Sequence, residues 1–191
     1  MTLRETQLLI DEGIAPQGGK RLREIYETVN HHAALAVVED MAKAGRGCGE
    51  VELAAVHRLV MEKIDDARAG QYRSERVMVT GAPLRPERVP EAMRELVEWV
   101  AASELHPVLC AGEAHYRFVK IHPFYDGNGR TGRLLMNWIL LARGYPLTVI
   151  RAEERVRYIT SLDEADRGRG NDFFVMLGEC VERSLDQFLE E

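Results

Sequence analysis

The chain has 191 residues, of which 46% are hydrophobic and 29% charged, the length and balance of one soluble globular domain with room for a sizeable core. Its net charge of −6 and pI near 5.6 exclude the basic footprint of a general nucleic-acid binder. No apolar run is long enough to span a bilayer, the N-terminus lacks the apolar core of a signal peptide, and Cys48, Cys110 and Cys180 show no paired metal-ligand spacing, so a reduced, cytoplasmic setting is expected, with no membrane or nucleic-acid partner.

The expected elements are mostly helical. Thr2-Leu-Arg-Glu5 has the form of a capping box, and a short helix should follow it and stop near Gly13. Residues 19–43 carry a longer helical pattern, broken at Gly45-Arg-Gly47. In residues 49–69, Leu53, Val56, Leu59, Val60 and Ile64 recur at helical spacing, and Gly70 is expected to close that helix. Arg76-Val-Met-Val-Thr-Gly-Ala-Pro83 is short, β-prone and interrupted by glycine and proline, which predicts a small hairpin, or flap, within residues 71–83. Pro90 should open a helix to residue 103, and Pro107 another to Lys120. Further helices are expected over 129–143, closed by Gly144-Tyr-Pro146, and over 152–164 and 171–189. The fold expected is all-α, one domain over 1–191, with a small β-hairpin flap.

The stretch His122-Pro-Phe-Tyr-Asp-Gly-Asn-Gly-Arg-Thr-Gly-Arg133 gathers the parts of a phosphate-handling site. Pro123 biases His122 away from the α region, so the preceding helix should end there and leave the imidazole on a turn. An imidazole with a pKa near 6.5 suits a general base at neutral pH; the alternative is a hydrogen-bonded structural histidine. Asp126 has the hard oxygen chemistry of a Mg²⁺ ligand beside phosphates, and equally that of an Asx-turn or helix cap. Gly127-Asn-Gly129 allows positive φ and close approach to a ligand, and the helix it starts adds an anion-binding end. Arg130 and Arg133, three residues apart, share a face of that helix's first turn. Cations there are unfavourable by a few tenths to about 1 kcal/mol each. They therefore ask for an anion, either a polyphosphate bound bidentately or an internal carboxylate. Leu134, Leu135, Met136, Trp138, Ile139, Leu140 and Leu141 make the rest of the helix apolar nearly all round, so it should run through the core, with Phe124 anchoring the turn.

These residues match the signature of the Fic (filamentation induced by cAMP) family, His-Pro-Phe-x-Asp-Gly-Asn-Gly-Arg-x-x-Arg, at every fixed position. Asp65 to Pro90 resembles the family's flap region and Leu105 to Pro146 its core, so the resemblance covers most of residues 2–189. It implies protein adenylylation, in which AMP passes from ATP to a hydroxyl of a target protein and pyrophosphate is released. On that resemblance, His122 deprotonates the hydroxyl and Asp126 holds Mg²⁺ (or Mn²⁺). The Gly127–Gly129 backbone with the Asn128 side chain cradles the phosphates, and Arg130 and Arg133 bind the β- and γ-phosphates. Val77, Met78 and Val79 offer a strand edge to an extended target segment; the alternative is an ordinary surface hairpin. Tyr158 and Asp166 fall near the family's nucleobase-binding positions, with Asp166 where many relatives have asparagine.

The resemblance also raises regulation. Many members carry an inhibitory helix of pattern Ser/Thr-x-x-x-Glu-Gly/Asn whose glutamate pairs with the second motif arginine, here Arg133. The pattern is not found in this sequence, so a chain free of internal inhibition is expected, either because an upstream inhibitory helix was removed by truncation or because a partner protein supplies inhibition in trans, and homodimers are common among relatives. Two other readings stand beside AMP transfer: a Fic-fold enzyme moving phosphate, like the Doc kinases, and a non-catalytic nucleotide-binding module. Intact Gly127, Gly129 and Arg130 favour AMP over the first, and intact His122 and Asp126 argue against the second.

Overall fold

A computed structural model of the chain describes residue 7 and residues 22–77, 84–169 and 171–190. Among these residues there are seven α-helices and no strand: α1 Leu22–Lys43, α2 Glu50–Met61, α3 Val89–Ala102, α4 Pro107–Ile121, α5 Asn128–Ala142, α6 Arg155–Ala165 and α7 Asn171–Glu190. Short 3₁₀ turns, Pro86–Arg88 and Ala152–Glu154, lead into α3 and α6. Pro90 lies in the first turn of α3 and Pro107 begins α4, positions where the missing N–H would have had no helical partner. The capping box and the short helix expected before residue 14 lie outside the described residues.

The apolar α5 is the axis of the molecule. Leu134, Leu135, Met136, Trp138, Ile139 and Leu140 are all buried. On one side of α5, Ala34, Val38 and Ala42 of α1 and Val56 and Val60 of α2 pack on Leu134 and Trp138. On the other, Met93 and Leu96 of α3, Ala111 and Phe118 of α4 and Leu177 and Val181 of α7 pack on Leu135, Met136 and Ile139. A helix enclosed in this way holds its N-terminus, where residues 128–133 lie, in a fixed place. Cys48, Cys110 and Cys180 are free thiols. No helix among the described residues is long and apolar enough to cross a membrane.

Two expectations about element boundaries need correction. The helix expected over 49–69 ends at Met61. Asn30 of α1 donates from Nδ2 to the Glu62 carbonyl at 2.6 Å, Lys63 turns to φ 58°, and its N–H donates to Asp66 Oδ1 at 2.8 Å. These bonds satisfy the backbone locally and stop the helix. The apolar period runs on to Ile64 because that side chain still packs against the α1–α2 core. Gly70 (φ 74°) therefore closes a turn rather than a helix. In the flap region, residues 71–77 have no regular structure, so the expected hairpin has no strand there, and residues 78–83 lie outside the described residues.

Candidate active site

The turn between α4 and α5 is built by side chains that leave little freedom. His122 caps α4 in the left-handed region, φ 50° and ψ 62°, with its N–H on the Phe118 carbonyl at 3.0 Å. That conformation is unfavourable for a non-glycine residue by about 1 kcal/mol or more, so it needs support. Part of it comes from Phe124, fully buried, whose ring stacks on His57 with centroids 3.6 Å apart. Asn128 clasps the same residue: its Oδ1 accepts from the Phe124 N–H at 3.0 Å and its Nδ2 donates to the Phe124 carbonyl at 2.9 Å. Gly127 has φ 75°, and a Cβ there would lie 2.9 Å from Met61 Sδ, so both conformation and packing demand glycine.

His57 pins the turn from below. Its Nδ1 accepts the Gly70 N–H at 2.8 Å, so the ring hydrogen sits on Nε2 and is donated to the Asp126 carbonyl at 2.9 Å. Burial lowers its pKa to about 4, which keeps that tautomer neutral at physiological pH.

Around this frame the functional candidates converge. His122, Asp126, Gly127, Asn128, Gly129, Arg130 and Arg133 line one cavity of about 400 Å³. A second, of about 370 Å³, shares Gly129 and Arg133 and adds Arg151, Arg155 and Tyr158. Burial lowers the pKa of His122, and nearby Arg73 adds to the effect. Burial alone would raise that of Asp126, but the Gly127 N–H, Arg130 and Arg23 outweigh it and hold the carboxyl ionised. One Asp126 oxygen accepts the Gly127 N–H at 2.6 Å and the other pairs with Arg23. Arg130 is paired with Glu27 of α1 at 3.5 Å, the internal carboxylate foreseen as one alternative. Among the described residues no carboxylate lies within 4 Å of Arg133. The N–H groups of Asn128, Gly129 and Arg130, at the start of α5, have no carbonyl one turn back within the helix.

The remaining candidates divide. Tyr158 lines the second cavity, with its hydroxyl on His115 Nε2 at 2.7 Å. Asp166 lines neither cavity; it holds Lys120 Nζ at 2.5 Å and accepts from the Tyr116 hydroxyl at 2.9 Å. The Asn128 side chain bonds both backbone groups of Phe124. Val77 is half-buried, while Met78 and Val79 lie outside the described residues. Reading the sequence missed Arg73, whose buried guanidinium meets the carbonyls on both sides of the α4 end; nothing in its neighbourhood signals burial. It also gave His57 no part in the site, although its place on the apolar face of α2, one residue after Val56, was a usable signal.

The Fic/DOC family model matches residues 48–140. A protein adenylyltransferase Fic of Nematostella vectensis is 34% identical over 99% of this chain and 45% of that protein, and one of Drosophila willistoni is 33% identical over 99% and 39%. The chain thus spans less than half the length of these two curated relatives. The crystal structure of a Fic domain containing signaling protein from Bacteroides thetaiotaomicron superposes with a TM-score of 0.89 at 30% identity, covering 97% of this chain and 78% of that one. Fic-1 from C. elegans superposes equally well, TM-score 0.89 at 30% identity, over 100% of this chain and 58% of its own. Likeness over nearly the whole of a solved member, centred on a motif that the fold assembles into one cavity, makes this chain a member of the Fic/DOC family.

Proposed function

We propose that the chain is a protein adenylyltransferase, moving AMP from ATP to a hydroxyl side chain of a target protein. The observation that carries this reading is the single cavity in which a neutral imidazole, an ionised carboxylate and two guanidiniums meet the start of α5. The curated relatives bear the same activity in their names.

In this reading His122 takes the proton of the target hydroxyl, whose oxygen bonds to the α-phosphorus. The bridge from the α- to the β-phosphate breaks, and pyrophosphate leaves. Arg130 and Arg133 hold the β- and γ-phosphates, and the free N–H groups at the start of α5 add hydrogen bonds. Charge is stabilised by groups already in place, so positioning and electrostatics carry the catalysis. Asp126 fits Mg²⁺ or Mn²⁺, because such ions take oxygen ligands and often only one or two carboxylates beside substrate phosphates. A bound ion would offset the phosphate charge, once Arg23 yields its carboxylate oxygen. Tyr158, on the second cavity, is the nucleoside-side residue, and the Val77–Val79 segment presents backbone to the target.

The test is an incubation with Mg²⁺, soluble cell proteins as acceptors and ATP labelled at the α- or γ-phosphate. Protein-bound α-label is expected. Label from the γ-position alone would make the chain a kinase, and neither label would reduce it to a binding module.

A further inference from the structure

Among the described residues, Arg73 is the sole arginine, lysine, aspartate or glutamate that is buried, at 2% exposure. A guanidinium taken out of water normally needs a carboxylate partner. Arg73 has main-chain carbonyls instead. Its Nε donates to the His122 carbonyl at 2.7 Å, its Nη1 to Glu75 at 3.1 Å, and its Nη2 to Leu84 and, at 3.4 Å, to Ile121. Its own N–H donates to the Pro123 carbonyl at 2.9 Å. Ile121 and His122 supply carbonyls at the C-terminal end of α4, which carries partial negative charge. The guanidinium thus caps a helix and crosses to a second segment with one planar fork.

Next along the chain, the Ser74 N–H donates to the Tyr125 hydroxyl at 3.0 Å, and the Ser74 hydroxyl lies 2.9 Å from the same oxygen. Residues 73 and 74 therefore lie along 122–125, fixed at three points. His122 is strained in φ, and the segment leading to Val77 has no ladder of its own, yet each is tied to the other through Arg73.

We infer that Arg73 is a positioning residue for the transfer step, with Tyr125 as a second clasp: it sets His122 relative to the segment entering at Ser74. The inference rests on the adenylyltransferase reading for its consequence, because that segment leads to the residues assigned to target docking. Arg73 lies in neither cavity and touches no nucleotide-binding group, so its loss acts on the acceptor side. Lysine keeps the charge but has one point of donation, which cannot span four carbonyls.

The test compares Arg73→Lys, Arg73→Gln and Tyr125→Phe with the wild-type chain, using α-labelled ATP and the same acceptor pool. Affinity for ATP is read by calorimetry, and backbone hydrogen exchange is followed over residues 73–77 and 122–125. Transfer is expected to fall about tenfold or more in both Arg73 variants, since small misplacements of reacting groups carry costs of this size. A smaller loss is expected in Tyr125→Phe. ATP affinity should stay within about twofold, in accord with loss of a positioning contact alone, and exchange should quicken over the two segments but not in α5. Unchanged transfer with unchanged exchange would overturn the inference, as would ATP affinity falling in step with transfer. If Arg73 variants fail to fold, Tyr125→Phe decides: its half-exposed hydroxyl can be removed without emptying the core, and because Tyr125 also lines the His122 cavity, reduced transfer with unchanged ATP affinity supports the clasp and reduced ATP affinity overturns it. If the wild-type chain incorporates no α-label, the adenylyltransferase reading falls, and exchange alone decides whether the clamp exists.

Discussion

Burial lowers the pKa of the His122 imidazole below its ordinary value, and Arg73 adds to the shift; its sign fixes the expected pH profile. A base with a depressed pKa stays unprotonated to lower pH, so transfer should be flat above the usual histidine value of about 6.5 and fall below it. The kcat/KM profile between pH 5 and 8 checks this, and an acid limb centred above 6.5 would contradict the assignment. His122→Ala should remove transfer while sparing ATP binding, since the role proposed for the imidazole is on the acceptor hydroxyl and not on the phosphates. Arg133 makes the opposite case. It has no carboxylate within 4 Å among the described residues, and its side-chain partner there is the neutral Tyr158 hydroxyl, so its charge is left for an anion to meet. Arg133→Ala should weaken ATP binding by about 1.5–3 kcal/mol, the worth of a hydrogen bond to a charged group. AMP, which lacks the β- and γ-phosphates, should bind both forms alike in calorimetry; equal losses for ATP and AMP would move Arg133 away from the leaving group.

The turn from α4 into α5 shows how an element is held by side chains that bond its own backbone. Asn128 is 3% exposed, and its amide satisfies both the N–H and the carbonyl of buried Phe124. Asn128→Ala strands both, at roughly 1–3 kcal/mol for each buried unsatisfied group. A loss of about 2–6 kcal/mol in urea unfolding is expected, and a loss below about 1 kcal/mol would mean that the turn relaxes without the clasp. The family resemblance gave this amide a place among the phosphates, and a Gly-Asn-Gly triplet alone does not reveal that it also clasps Phe124. The sequence did make other features of the element legible. Pro107 and Pro123 bracketed α4, and the unbroken apolar run after Arg133 placed α5 in the core. What stayed hidden depends on partners distant in sequence. Asn30 and Asp66 end α2 nine residues before the glycine that local rules chose. Glu27, more than a hundred residues away, supplies the internal carboxylate that was one of the two anions expected for Arg130, the other being a ligand polyphosphate. Arg73 reads as a surface arginine until the end of α4 is folded over it.

At the scale of the whole molecule, the site and the stability of the fold share buried histidines. His57 and His115 are 2% and 0% exposed, and burial lowers both to a pKa of about 4. His57 joins the Gly70 turn to the Asp126 carbonyl, and His115 joins α4 to Tyr158 of α6. In the unfolded chain both should titrate near 6.5. Above that value neither form binds the proton and stability is complete. As pH falls from about 6.5 toward 4 the unfolded chain takes up protons that the folded chain refuses, so stability drops, by roughly 3 kcal/mol for each histidine over the full window. Set against a typical total of about 5–15 kcal/mol, these two groups, with His31, whose pKa burial also lowers to about 4, should bring acid unfolding on well before most carboxylates are protonated. The carboxylates that the fold holds ionised, Asp126 and Glu164 among them, lose their contribution lower, as pH falls past about 4. The slope of unfolding free energy against pH between 6 and 4.5 therefore reports the histidines. His115→Gln should reduce that slope by about one proton and leave the His122 acid limb in place. A slope unaltered by the replacement would mean that His115 is protonated in the folded chain, and that its ring bonds Tyr158 as a cation.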